Sequence, residues 1–234
     1  MITLYCFRPT TGLPDASPFV LKAMTLLKLA GLEYEINCKG YARAPKGKLP
    51  YIDDDGVIVA DSTFIRWHIE KTRGFDFDTH LSAEQRAIAW ATEKMCEDHL
   101  YWLIARGRWL DDANFKRGPA KLFESAPAFI RPLIGWLVRR KVAKSLHLQG
   151  IGRHSAQEAA ELGVKDVESL ATLLGDKPFL FGNEPCGADA TVFAFVASVL
   201  SPSWDSPIRD AATAKPNLVD YRERLMSRYF PDFA

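Results

Sequence analysis

The sequence predicts an α/β unit over residues 1–74 followed by an all-α unit over residues 82–234. Three observations carry this expectation. Short apolar runs of strand length are interleaved with one helical stripe before residue 60. An Asp55-Gly56 turn joins two of those runs, and Asp-Gly supplies the positive φ that a tight hairpin needs. Beyond residue 82 the periodic segments all have helical spacing.

Ile2-Thr3-Leu4-Tyr5-Cys6-Phe7 is a nearly continuous apolar run, as a buried strand requires. A loop with Pro9, Gly12 and Pro14 follows. Ser17-Pro18 then opens a helix, with Ser as cap and Pro in the first turn, where its missing N–H is harmless. Val20, Ala23, Met24, Leu27 and Ala30 give it a buried stripe, and Gly31 supplies a left-handed stop. Glu33 to Cys38 alternates as a second strand. The basic, Gly- and Pro-containing segment Lys39 to Lys48 reads as loop or a short turn in place of a regular helix. Pro50 stands at a strand entrance, where the ladder tolerates a missing donor. Tyr51-Ile52 and Val57 to Val59 form the hairpin, and a helix opens close to Ser62 with Phe64, Ile65, Trp67 and Ile69 at helical spacing. Strand-helix-strand followed by hairpin and helix is the thioredoxin-like order.

Arg73 to His80 breaks the pattern and reads as a linker. Ser82 and Gln85 make a capping box that opens a helix running to about Arg106. Ile88, Ala91, Met95, Asp98 and Trp102 fall near one face of it, which puts Asp98 at a polar spot toward the interface between the two units. Ala128 to Gln149 is a helical stretch disturbed by Pro132, and its cluster Arg139, Arg140, Lys141 and Lys144 reads as a solvated face. Ser155 and Glu158 form a second box, opening a helix to Leu174 with Gly175 as stop. The apolar helix Ala190 to Leu200 follows Asp189, and a final helix runs from about Asn217 to Tyr229. Trp90, Trp102, Trp109 and Phe115 are expected in the core, with some lining an apolar pocket.

Composition narrows the function classes. Apolar residues at 47% and charged residues at 25% are ordinary globular values. A formal charge of +1 gives no field favouring nucleic acid or an acidic membrane. Cys6, Cys38, Cys96 and Cys186 form no Cys-x-x-Cys and no zinc spacing with His, so a reduced, cytoplasmic setting without metal is expected. Met1-Ile2-Thr3-Leu4 has no charged n-region or apolar h-region, so no secretory leader is expected. Ala190 to Leu200 is too short to span a bilayer.

One stretch carries chemistry, Lys46 to Ser62. If the Leu49–Pro50 bond is cis, the Leu49 N–H and C=O turn outward and an extended peptide can pair with them as an added strand. The next helix begins at Ser62, and its amide and hydroxyl suit a carboxylate. Asp61 beside it accepts from an ammonium. Together they fit a short peptide bearing an α-amino acid at one end. The same residues also make an ordinary hairpin with an ordinary cap.

Gly47-Lys48-Leu49-Pro50-Tyr51-Ile52, the hairpin, then Ala60-Asp61-Ser62, resembles the glutathione-binding half of glutathione S-transferases. The likeness is to the branch with the failed-axon-connections and metaxin-like proteins, and Gly152-Arg153-His154-Ser155 is similar to that branch as well. The resemblance covers nearly the whole chain. It implies a thioredoxin-like N-terminal domain, an all-helical C-terminal domain and a homodimer. It assigns the pairing with the cysteinyl backbone of glutathione to Leu49 and Pro50. The γ-glutamyl group falls to Asp61 and Ser62, and the glycine carboxylate to Lys48.

Ser17-Pro18-Phe19 resembles the Cys-Pro-Phe of omega-type enzymes with Ser substituted, which makes Ser17 the candidate donor to the glutathione sulfur. Ser17 is also a plain helix cap. Tyr5 reads as lying too far inside its strand for that role. The cysteines lie away from this position, which disfavours a thiol–disulfide mechanism. Where the family places a Ser or Thr cap, this chain has Cys186-Gly187, with Asp189 at the matching carboxylate, so a weaker helix start is expected. The activity implied is attack of glutathione thiolate on a small electrophilic or peroxidic molecule held in an apolar pocket. The alternative is a binding or adaptor protein of the metaxin-like type that keeps the fold without turnover.

Overall fold

The computed structural model describes residues 1–10, 12–124 and 126–233. Its sheet has strands β1 (Ile2–Tyr5), β2 (Tyr34–Asn37), β3 (Tyr51–Asp54) and β4 (Val57–Ala60) in the order β2-β1-β3-β4. β1 and β2 are parallel, and the other pairings are antiparallel. Helix α1 (Pro18–Leu29) makes the crossover between β1 and β2, and α2 (Ser62–Arg73) follows the hairpin. Only a short 3₁₀ turn, Tyr41–Arg43, interrupts the basic loop. This is the thioredoxin-like arrangement that the sequence predicts.

Helix α1 is buried around most of its circumference, not along a stripe alone. Val20, Leu21, Ala23, Leu26 and Leu27 are fully enclosed, and so are Lys22 and Thr25. The sheet covers one side of it and a helix of the second unit covers the other.

That second unit contains α3 (Ala83–Lys94), a π-helical turn (Met95–Leu100), α4 (Tyr101–Leu110), α5 (Asp112–Arg117) and α6 (Arg131–Gln149). It continues with α7 (Ala156–Leu174), α8 (Gly187–Leu200), α9 (Pro207–Thr213) and α10 (Pro216–Tyr229). Both predicted capping boxes are formed, with Ser82 Oγ accepting from Gln85 N at 3.2 Å and Ser155 Oγ from Glu158 N at 3.1 Å. Pro132 does not disturb α6; it is the helix's second residue, where no intrahelical donor is lost. The start of α8 is firmly held. The Asp189 carboxylate accepts from Cys186 N at 2.9 Å, Leu180 N at 3.0 Å and Tyr221 Oη at 2.8 Å.

The face of α3 differs from the expectation. Asp98, Ile88 and Ala91 are exposed, whereas Ala89, Thr92, Glu93, Cys96 and Glu97 are buried. Apolar periodicity points to the wrong side because the buried side carries two glutamates. The π-helical turn then shifts the phase once more before α4.

Those glutamates meet the cations of the first unit. Lys22, 0% exposed, donates to Glu93 at 2.8 Å and to Glu97 at 2.6 Å. Arg66 of α2 donates to Glu93 at 2.9 Å, to Glu70 at 2.9 Å and to Asp78 at 2.5 Å. Thr191 of α8 donates to Glu93 at 2.7 Å, and the Gly187 amide to Asp78 at 2.9 Å. Lys94 pairs with Glu97. Burial alone would lower the Lys22 pKa and raise that of Glu93, but the mutual attraction outweighs it: Lys22 is held above its ordinary value and Glu93 below.

Removing one partner of such a cluster strands the others in low dielectric. Lys22→Met is therefore expected to destabilise by about 3 kcal/mol or more, read as the urea midpoint. Glu93, depressed in the folded state, contributes stability that is complete above the ordinary Glu pKa of about 4.3. That contribution drains as pH falls through the lowered folded value. The urea midpoint of the wild type should drop on acidification below about pH 4, and Glu93→Gln, already destabilised, should lose less over the same window.

Candidate functional site

The strand register gathers the predicted site at one end of the sheet. Tyr5, the last residue of β1, pairs with Tyr51, the first of β3, and Tyr51 pairs with Ala60, the last of β4. The chain leaves β1 and β4 at that end to enter α1 and α2, so both helix N-termini are directed there. Ser17 stands at the first and Ser62 at the second.

The Leu49–Pro50 bond is cis. Among the described residues no hydrogen bond uses the Leu49 N–H or C=O. Pro50 O accepts from Asp61 N at 3.1 Å, which ties the entrance of β3 to the start of α2. Asp61 has φ 94° and ψ 134°, a region that costs a non-glycine residue about 1–3 kcal/mol. Its carboxylate caps α2 by accepting from Thr63 N at 3.1 Å and takes Lys48 Nζ at 2.9 Å. Burial would raise its pKa, but Lys48, the Thr63 amide and Lys46 together hold it below the usual carboxylate value. Ser62 is the first residue of α2, and its hydroxyl makes no hydrogen bond among the described residues. Backbone geometry thus brings Lys48, Leu49, Pro50, Asp61 and Ser62 together.

Ser17 caps α1, with Oγ accepting from Val20 N at a long 3.5 Å. Its own amide donates to Asp15 Oδ1 at 2.8 Å. Asp15 is 1% exposed, and burial pushes its pKa up to about 7 against the opposing amides of Ser17 and Phe7. Its second oxygen, Oδ2, is buried with no partner among the described residues.

Arg108 of α4 supports the same loop from the helical unit. It donates to Ala16 O at 3.1 Å, Ser198 O at 2.8 Å and Ser198 Oγ at 2.6 Å, and its guanidinium lies 4.2 Å from the Trp204 ring centre. It forms no ion pair among the described residues, and burial pulls its pKa down to about 9. Gly118 leaves room for Trp204, whose ring would lie 1.8 Å from an added Cβ. The sequence hint for Arg108 is a cation following the buried Leu103-Ile104-Ala105 in one helix. Asp15, Tyr101 and Arg108 are absent from the sequence reading of the site.

Aromatic rings pack beside the start of α1. Phe19 stacks edge-on with Tyr101 at 4.9 Å and with Phe195 at 5.6 Å, and Tyr101 meets Trp102 at 5.3 Å. Burial raises the Tyr101 pKa, while Arg108 and Lys48 oppose the rise. Tyr5 ends its strand instead of lying inside it. Its ring stacks on Tyr51 at 4.1 Å, and Tyr51 Oη donates to Gly40 O at 3.2 Å. Gly40 is required there, because a Cβ would sit 2.1 Å from the Tyr5 ring. Trp90 is exposed and Phe115 lines a separate cavity of about 670 Å³ beside α6, which shares no residue with this site.

Residues 18–114 match the family described as Glutathione S-transferase N-terminal domain, and residues 163–225 match Glutathione S-transferase, C-terminal domain. Isoprene-epoxide–glutathione S-transferase of Rhodococcus sp. (strain AD45) is 34% identical over 98% of this chain and 99% of its own length. Failed axon connections of Drosophila melanogaster is 36% identical over 100% of this chain, which spans 59% of that longer protein. Metaxin-1 of Macaca fascicularis is 27% identical over 97% of this chain and 75% of its own. The solved structure of glutathione transferase GSTFuA3 from Phanerochaete chrysosporium superposes with a TM-score of 0.67 over 97% of this chain and 96% of that one. At 15% identity that likeness speaks for the fold alone. The chain belongs to the glutathione S-transferase family, in the branch with Failed axon connections and metaxin-1.

Proposed function

We propose that this protein is a glutathione transferase in which glutathione thiolate attacks a small electrophilic or peroxidic molecule. The observation that supports it is the convergence of an unpaired Leu49 backbone and two helix N-termini, bearing Ser17 and Ser62, at one sheet end. The glutathione-binding part is assigned to residues 1–74 and the substrate-covering part to residues 82–234. Glutathione lies extended, its cysteinyl backbone paired with Leu49 beside Pro50. Its γ-glutamyl carboxylate takes the Ser62 amide and hydroxyl. Its ammonium takes Asp61 in place of Lys48, whose side chain is 62% exposed and free to swing toward the glycine carboxylate.

Ser17 donates to the sulfur, and the amides at the start of α1 add partial positive charge that favours the thiolate. Phe19, Tyr101 and Trp102 supply the apolar wall for the second substrate. The name of the Rhodococcus relative makes a small epoxide the first electrophile to assay. Four free cysteines fit a reducing cytoplasm. No described helix is long and apolar enough to cross a membrane. No metal is needed for this chemistry.

A homodimer is part of the reading. Phe64 and Trp67 of α2 pack at 5.3 Å, and Trp67 stacks on Trp90 of α3 at 6.3 Å. These three rings are each about half exposed and form an apolar strip across both units, as an interface between copies needs.

A second reading is a non-catalytic binding or adaptor protein. It is favoured by the 36% identity to Failed axon connections, against 34% to the named transferase. Retention on immobilised glutathione, with one conjugation and one peroxidase assay, separates the two.

Ser62→Ala should weaken glutathione about 5- to 100-fold, corresponding to about 1–3 kcal/mol for a charge-assisted hydrogen bond. Unchanged affinity by calorimetry would place the carboxylate elsewhere. Ser17→Ala should lower turnover about ten- to a hundredfold with affinity little altered. It also removes a cap worth about 1 kcal/mol, so melting is followed in parallel. Ser17→Asp keeps a cap and loses the neutral donor; normal turnover in both variants would leave Ser17 a cap only. Sedimentation should show dimers that Trp67→Glu converts to monomers, and a monomeric wild type would remove the strip from consideration.

A further inference from the structure

Two thiols meet where the sequence offers no Cys-x-x-Cys. Cys6 follows β1 and Cys38 follows β2, and the parallel register that pairs Tyr5 with Asn37 makes them the next pair. Cys6 N donates to Asn37 O at 3.2 Å, so the ladder extends that far. Their sulfurs stand 3.6 Å apart as free thiols. Adjacent strands run about 4.8 Å apart, within the Cα separation of about 4.4–6.8 Å that a disulfide spans. Closing the bond needs the sulfurs to approach by about 1.5 Å.

The pair is also asymmetric in access. Cys6 is 2% exposed, whereas Cys38 is half-buried at the turn that leads into the basic loop. Cys96 and Cys186 are buried in the helical unit.

Burial and then the Cys38 contact hold the Cys6 thiol in its protonated form. A thiol must lose its proton before it attacks a disulfide, so the more accessible Cys38 is the thiol that meets a disulfide first.

We propose that Cys6 and Cys38 form a thiol–disulfide redox site that exchanges with small disulfides. The Cys38 thiolate attacks one sulfur of a disulfide RS–SR, forming a Cys38–S–SR bond and expelling RS⁻, which takes up the proton that Cys38 lost. Cys6 then gives up its proton and attacks the Cys38 sulfur, closing the Cys6–Cys38 bond and expelling the second RS⁻, which takes up that proton. The protein loses two electrons and two protons, and one disulfide becomes two thiols. Run backward, the same steps reduce the protein with two small thiols. Glutathione disulfide is the natural probe, but the site does not rest on glutathione binding at Leu49, and bis(2-hydroxyethyl) disulfide should serve as well.

The test is a thiol titration of the whole protein, denatured after equilibration in buffers of graded glutathione to glutathione disulfide ratio, with intact mass and peptide mapping. Four thiols should fall to two with the loss of two hydrogens and a Cys6–Cys38 crosslink, reversed by excess glutathione. The hydroxyethyl disulfide should give the same crosslink, which separates this site from the glutathione-binding reading. Cys6→Ser should trap a mixed disulfide on Cys38, and Cys38→Ser should trap none. Four thiols persisting in the wild type at every ratio, or no adduct on Cys38 in Cys6→Ser, would overturn the site.

Discussion

The buried charge cluster between the two units is the constraint on which the rest depends. Lys22 and Arg66 extend from the two helices that pack on the sheet, and Glu93, Glu97 and Asp78 meet them from α3 and the linker. Charges taken out of water gain little net stability over well-packed apolar groups, but each is severely penalised when its partner is missing. Such a cluster acts as a register key: the helical unit docks on α1 and α2 in one position or strands several ions. Gly187 belongs to the key, because a Cβ there would lie 2.3 Å from the Arg66 guanidinium. The same residue's amide closes on Asp78, so the start of α8 is fixed by the interface and by its own Asp189 box.

With the units locked, the site is mostly a product of backbone. The register places the ends of β1 and β4 and the start of β3 together, and the loops there lead into helix N-termini that carry partial positive charge. Arg108 extends the same logic from the other side. Its guanidinium has carbonyls and a hydroxyl for partners and no carboxylate, and it reaches across to the peptide just before Ser17. A cation paired only with dipoles leaves positive potential beside the loop that carries Ser17.

Much of this was legible in the chain. Asp55-Gly56, Pro50 and the Asp61-Ser62 start mark the hairpin and its helix because each meets a local backbone demand that few residues satisfy. The two capping boxes were equally local. Beyond the fold order, what the spacing misses is set by contacts between distant segments. The inward face of α3 is polar, so apolar period chose Asp98 where Glu93 and Glu97 are the residues that turn in. The π-helical turn, the role of Arg108 and the meeting of Cys6 with Cys38 arise from tertiary packing and register, which spacing along the sequence does not encode. Tyr5 reads as interior to its strand, whereas it is the last residue of β1, with one further ladder bond from the Cys6 amide.

The division between scaffold and site also explains how relatives with such different names share one fold. The charge cluster, the Asp189 box and the sheet register need none of Ser17, Lys48 or Ser62. A chain of this family can therefore keep its architecture and change those few side chains at small cost, and overall identity says little about turnover. Asp61 is different. Its strained backbone is a standing cost of about 1–3 kcal/mol, far more than a turn made with glycine would require. Its carboxylate is held ionised beside a lysine that is mostly in solvent. An exposed ion pair contributes little to stability, so the cap on Thr63 N, about 1 kcal/mol, is the main return that folding takes from that geometry. The same strained, charged residue, next to a Ser62 hydroxyl without a partner among the described residues, is what the proposed reading uses to hold a carboxylate and an ammonium.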